Sequence, residues 1–220
     1  MEGHPQNQNQ NKWLMGTVAI ISSAIVLSDA FIVPFYEFVE HMSAKNASSR
    51  VDGGIPNVMG LQISQHDIDV VVRTTIGEAA NEPDEGKAAV VHVILNRAML
   101  NMPDYGGSNV ADVALHRAKI KRPKGIVTVW QFEPWMRIKN RMYLWRIQKD
   151  ANIYVRTNAI VMSCISGETP DPTGGATHFL NPTIVKARTG GSLPSWAQGT
   201  GKRIGSHVFY SHKDTSRAAI

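Results

Sequence analysis

Thr74–Arg97 reads TTIGEAANEPDEGKAAVVHVILNR. The stretch holds two helices that meet at a proline corner, with Glu78, Glu82, Asp84 and Glu85 gathered around it. Before it, Ile68 to Ile76 is apolar enough to form a buried helix. After it, Gly86 to Arg97 is apolar on most sides. Proline is accepted at the first position of a helix and not inside one, so Pro83 marks a helix start. Asn81 or Glu82 then caps the second helix, and Asp84 and Glu85 sit in its first turn, where the helix dipole favours negative charge. That structural account leaves out Glu78, which lies one turn earlier beside Gly77, at the end of an apolar helix. A carboxyl group there is partly desolvated, which raises its pKa and suits a general acid.

The same stretch carries a resemblance. Gly77-Glu78-Ala79, Glu82-Pro83, Glu85-Gly86, the alanines Ala88 and Ala89, and Ile94-Leu95-Asn96-Arg97 resemble the opening of the SleB-type cell-wall hydrolase domain, a family that includes spore cortex-lytic enzymes and phage and bacterial relatives. A second block resembles the same family: Asp171-Pro172-Thr173-Gly174-Gly175-Ala176, Phe179, Asn181-Pro182, Trp196, Ile204-Gly205, His207 and Phe209-Tyr210. Gln131-Phe132 forms a shorter link between them. The order of the three blocks makes the match specific. The sequence departs from the family at Ala80-Asn81, where members often carry Arg-Gly, and at Asp84, where an aromatic often follows the proline.

The resemblance implies a lysozyme-like, mainly α, α+β domain that degrades peptidoglycan glycan strands as a muramidase or lytic transglycosylase. It implies Glu78 as the single general acid and base at the β-1,4 bond between N-acetylmuramic acid and N-acetylglucosamine. Most glycosidases use two carboxylates. Peptidoglycan permits one, because the muramoyl C6 hydroxyl can attack its own anomeric carbon. Whether that hydroxyl or water attacks stays open. Gln131, Phe132, His178, Asn181 and Tyr210 match positions in or near the family's motifs and are candidate substrate contacts, since amides and flat rings suit N-acetyl sugars. For each of them a packing or turn role is the alternative. A non-catalytic wall-binding or structural component of a cell-envelope or phage machine, keeping the same fold, is the alternative for the whole domain.

The chain has 220 residues, 43% hydrophobic, a net charge of +5, one cysteine and eight histidines. The single Cys164 excludes an internal disulfide framework. The histidines form no paired spacing with carboxylates or cysteine, and no G-x-S-x-G elbow occurs, so neither a metal, another cofactor nor a serine nucleophile is expected. Residues 1–12 read as a disordered tail rich in Gln and Asn. Residues 13–39 open with 20 residues bearing one charge, Asp29, which is long enough for a transmembrane or signal-anchor helix. A cleaved signal peptide and a buried amphipathic helix are the alternatives. Lys12 before the segment and Glu37 and Glu40 after it place the domain on the wall side of the inner membrane, by the positive-inside rule. Residues 40–63 read as a linker, 64–212 as the catalytic domain and 213–220 as a tail. Within the domain, helices are expected from Ser64 to about Ala80, from Pro83 to about Leu100, briefly at 109–116, and over 137–166 with one break near Lys149-Asp150. A basic loop is expected at 119–125, an extended stretch at 127–132, and turns and short strands from Asp171 onward. Eleven Lys or Arg and only two acids lie between Arg117 and Arg156. That bias fits an anionic partner or a solvated face. No nucleic-acid motif accompanies it, and nothing in the sequence assigns an oligomeric state.

Overall fold

The structure, a computed structural model, describes residues 55–56, 61–122 and 125–211. The tail at 1–12, the signal-anchor segment at 13–39, most of the linker and the tail at 213–220 lie outside the described residues. Among the described residues, no helix is long and apolar enough to cross a membrane.

Helix α1 (Gln65–Ala79) starts where the sequence indicates. Ser64 Oγ accepts from the Asp67 amide at 3.2 Å, and Asp67 Oδ2 accepts from the Ser64 amide at 2.8 Å. This reciprocal capping box satisfies two amides that a helix start otherwise leaves open. Helix α2 (Asp84–Leu100) begins one residue later than expected, with Pro83 itself in the cap position and extended. Neither Asn81 nor Glu82 caps it. The Glu82 carbonyl instead accepts from Lys87 Nζ, whose charge also lies 3.9 Å from Asp84. Both helices are buried along most of their length and pack on one another, on the short α3 (Val110–Ala114) and on α5 (Asn152–Ser166). Helix α4 (Ile138–Arg146) packs on α1 alone among the helices with extensive contacts.

The buried length of α1 includes an ion pair. Arg73 Nε donates to Asp69 at 3.0 Å, and the guanidinium also donates to the carbonyls of Leu144 and Ile147 at the end of α4. Tyr154 OH of α5 donates to the other oxygen of Asp69 at 2.7 Å. A buried ion pair is tolerated when the remaining donors and acceptors find partners. Here they are found on two neighbouring helices, so the pair fixes how α4 and α5 seat against α1.

Two short strands precede α1. β1 (Ile55–Pro56) pairs antiparallel with β2 (Gln62–Ile63). Ile63, expected in the linker, is fully buried in the core, so the packed region begins ahead of Ser64. The basic segment expected as a loop is one arm of an antiparallel hairpin, β3 (Arg117–Arg122) with β4 (Gly125–Trp130). Lysine and arginine alternating with Ala118 and Ile120 have period two, and that pattern outweighs the weak strand propensity of the cations. The third sheet has the antiparallel order β5 (Ala176–Leu180), β7 (His207–Ser211), β6 (Lys202–Ile204). Helix α6 (Pro182–Thr189) interrupts the region expected to hold only turns and strands. Its β-branched Thr183, Ile184 and Val185 hide it. The Asn181 side chain starts it, accepting from the amides of Thr183 and Ile184. The class is mainly helical α+β.

Candidate active site

Glu78 occupies the last turn of α1. The residue before it explains how a second segment comes so close. A Cβ added to Gly77 would stand 2.5 Å from Pro134 Cβ and Cγ and 3.3 Å from Leu144 Cδ1. Only a bare Cα lets the single turn Glu133–Trp135 lie against the helix here. Trp135 Nε1 donates to Thr74 Oγ1 at 3.0 Å and locks that turn. The turn in turn aims the Glu133 amide at Glu78 Oε1, 2.8 Å away. Burial pushes the Glu78 carboxyl from its ordinary range up to about 8. The Glu133 amide opposes that rise, the Glu133 carboxylate adds to it, and the Arg97 charge opposes it. A carboxylic acid in this setting keeps its proton near neutrality, while the Glu133 amide and the Arg97 charge favour its ionised form.

Arg97, near the end of α2, is the centre of the site and was not among the candidates. Its Nε donates to the Thr177 carbonyl on β5 at 2.6 Å, and its Nη1 donates to Gln131 Oε1 at 2.7 Å. The guanidinium lies 5.1 Å from the ring centroids of both Tyr105 and Phe132. Burial lowers its pKa to about 10, with Tyr105 and Glu78 opposing, so it stays charged. An arginine inside an apolar helix run was the available signal, since a buried guanidinium has a partner to hold.

Gln131 and Phe132 therefore join Glu78 through Arg97. Gln131 Nε2 also donates to the Asp104 carbonyl at 2.7 Å, and Gln131 lines a cleft of about 650 Å³ between the turn at 102–105 and β3. Phe132 is fully buried, so its ring packs beneath the site. His178 lines the same cleft, edge-on to Tyr105 and 5.2 Å from the ring of Trp196. Asn181 and Tyr210 do not line the cleft, although Tyr210 faces His178 across the β5–β7 ladder and meets the ring of Trp196 at 5.6 Å. Asn181 caps α6 and donates to Ser206 Oγ at 3.1 Å. Tyr210 is 3% exposed, and its hydroxyl donates to the Ala197 carbonyl. Arg188 of α6 is a further unforeseen neighbour, pairing with the Glu133 carboxylate at 3.0 Å. Through that pair and through Thr177, the block from Asp171 onward holds Glu133 and Arg97, the two residues that act on the Glu78 carboxyl.

The acids at the corner divide their work. Glu82 does not complement the dipole. Its oxygens accept from the amide and hydroxyl of Ser206 in the β6–β7 turn. Burial pushes the Glu82 carboxyl up, but the Ser206 hydrogen bonds and the nearby His207 and Lys87 outweigh it and hold it below the usual range. His207 Nδ1 stands 3.5 Å from Glu82, yet burial wins over that attraction and lowers the imidazole pKa. Asp84 pairs with Arg156 at 3.0 Å. Gly205 has φ +57°, and a Cβ there would clash with Glu82 Oε2. Gly205→Ala should therefore break this clasp and lower stability by about 2 kcal/mol; an unchanged urea midpoint would show the clasp to be slack. Asp171 organises the expected tight turn, accepting from Thr173, Gly175 and Asn96. Among the described residues no group of three His, Cys, Asp or Glu is placed to hold a metal ion.

A carboxyl that holds its proton near neutrality, linked through Arg97 and Gln131 to a cleft lined with amide, imidazole and aromatic groups, suits acid–base chemistry on a polar substrate. Residues 81–210 match the family described as Cell Wall Hydrolase, and the chain belongs to that family. The matched span begins just after Glu78. The chain is 30% identical over 158 residues to a spore cortex-lytic enzyme of Oceanobacillus iheyensis, covering 71% of this chain and 46% of the relative. It is 31% identical over 150 residues to the spore cortex-lytic enzyme of Halalkalibacterium halodurans, covering 66% and 35%. It thus spans less than half the length of these curated relatives. Two solved structures are similar at 24% identity. One is the catalytic domain of the germination-specific lytic transglycosylase SleB from Bacillus anthracis (TM-score 0.44; 66% of this chain and 94% of that one). The other is the catalytic domain of Bacillus cereus SleB (TM-score 0.45; 72% and 98%).

Proposed function

We propose that the domain cleaves the β-1,4 bond between N-acetylmuramic acid and N-acetylglucosamine in peptidoglycan, with Glu78 as its single general acid and base. The observation that carries the reading is the Glu78 carboxyl, pushed up to about 8 by burial, in a member of the cell wall hydrolase family. Glu78 gives its proton to the glycosidic oxygen as the bond to the muramoyl anomeric carbon breaks, and the bonding pair leaves with that oxygen. The muramoyl C6 hydroxyl, or water, then bonds to the anomeric carbon and passes its proton to the Glu78 carboxylate. The first route leaves a 1,6-anhydro end and the second a reducing end. The Glu133 amide and Arg97 stabilise the carboxylate between the two transfers. We further propose that the domain works on the wall side of the inner membrane, held there by residues 13–39. Digestion of purified peptidoglycan followed by mass spectrometry of the released muropeptides tests the reading. Absence of glycan cleavage would leave only a wall-binding role.

One observation favours a second reading. Glu133 brings a carboxylate near Glu78 and adds to the rise of its pKa. Two carboxylates flanking a bond are the usual glycosidase arrangement. Glu133 is, however, engaged by Arg188. With a single acid, Glu133→Gln should keep turnover within about tenfold of the parent, because the backbone amide that meets Glu78 remains. A loss beyond roughly 10³-fold would assign Glu133 as base or nucleophile.

A further inference from the structure

We propose that the cleft lined by Gln131 and His178 is a subsite for the carboxylates of the peptide carried by the glycan, and that Arg117 and Lys119 on β3 receive them. This rests on the peptidoglycan reading above. The cleft has two unlike walls. The turn at 102–105, with Asp104, supplies one, and β3 supplies the other with Arg117 and Lys119; Gln131 and His178 complete the lining, in which the two cations outnumber the one acid. Alternation along a strand puts residues 117 and 119 on one face. The register sets Trp130 opposite Arg117 and Thr128 opposite Lys119, so no acid faces them across the ladder. Neither cation makes an ion pair with a described residue.

Arg117 is nonetheless held. Its guanidinium lies 4.1 Å from the Trp130 ring centroid, and Arg141 approaches the same ring at 5.5 Å. Stacking on an indole fixes a guanidinium without neutralising it, so the charge is preorganised for an anion. Uncharged N-acetyl sugars gain little from two such cations. In peptidoglycan the carboxylates belong to the peptide, which is attached to the muramoyl residue, the sugar whose bond Glu78 is proposed to cleave. Gln131 spans the two functions. It lines the cleft and accepts from Arg97, whose charge acts on Glu78. A peptide in the cleft would thereby help set the scissile bond at the acid.

The test compares glycan strands with their peptides against strands stripped by an amidase whose freed lactyl carboxylates are then capped as methyl amides, both first freed of phosphate-containing wall polymers. The parent should show roughly tenfold higher kcat/KM on the peptide-bearing strands, mainly through KM, as expected for a charge-assisted contact in a water-filled cleft. Arg117→Gln with Lys119→Gln should bring that ratio close to one at an unchanged melting temperature. Lys119→Arg should keep it, and so should Lys202→Gln, which removes one positive charge far along the chain on β6. Equal turnover of both glycans by the parent, or an unchanged ratio in the double variant, overturns the subsite and leaves the peptidoglycan reading standing. A ratio lost equally in Lys202→Gln overturns it as a global charge effect. A role for the two cations that appears only with the phosphate polymers left in place overturns it in favour of phosphodiester binding. No cleavage of either glycan by the parent overturns both readings.

Discussion

Replacing Glu78 by glutamine should lower wall lysis by roughly 10²–10⁴-fold, the usual contribution of a general acid, while the fold is retained. The amide keeps the shape of the side chain and still accepts from the Glu133 amide, but it has no acidic proton to give. The parent's kcat/KM should fall on the alkaline side with an apparent pKa near 8, the value to which burial pushes this carboxyl. Stability follows the same group. Its folded pKa lies above the ordinary 4.5, so the native state holds the proton more tightly than the unfolded chain does. That contribution is full below about pH 4.5 and is lost as the pH rises through 8. Above pH 8 the Gln variant should therefore be more stable than the parent, on the order of 1–3 kcal/mol, with the gap closing towards pH 4. Thermal melts at the two pH values measure it. Parent-like lysis by Glu78→Gln would remove Glu78 from the mechanism.

Gly77→Ala should be the most damaging change that leaves every charge in place. By helix propensity alone it should stabilise α1 by about 1 kcal/mol. The contact with Pro134 reverses that sign, because the rigid ring cannot move without moving the turn that carries Glu133. Overpacking of this kind costs about 1–3 kcal/mol. The displaced turn withdraws the amide that restrains the Glu78 pKa, so the alkaline limb of the rate profile should move to higher pH. Activity should fall at least tenfold as the acid loses its orientation. A more stable variant with the parent's pH profile would show that the close approach at Gly77 serves no purpose in the site.

The parts of the fold that rest on local chemistry are legible in the sequence. Ser64 with Asp67 gives the start of α1, Pro83 its corner, Gly167 the end of α5, and Asp171 with the glycines after it a turn. Glu78 stood out because a lone carboxyl at the end of an apolar helix has no local partner. What escaped depends on partners distant in sequence. Asp69 and Arg73 look like ordinary helix-face charges until Leu144, Ile147 and Tyr154 surround them. Glu82 resembles a helix cap until Ser206 meets it. Arg97 sits inside a motif, but its role appears only when Thr177 and Gln131 arrive on either side. The same limit applies to Asn181 and Tyr210. Asn181 has the local signature of a helix cap, which is where it stands, and Tyr210 is buried next to the equally buried Phe209, against any alternation, because the distant Trp196 and Ala197 cover it.

The clasp between Glu82 and Ser206 spans 124 residues of sequence. Loop closure over such a separation is slow and follows the formation of local helices. Helices α1 and α2 can form early from their own sequences, but the corner between them is finished only when the final hairpin docks. A ribosome-bound chain ending before Lys202 lacks the residue that engages Glu82. The corner next to Glu78 is thus completed only after Ser206 has been made and the β6–β7 turn has docked, although both helices that form the corner are made more than a hundred residues earlier.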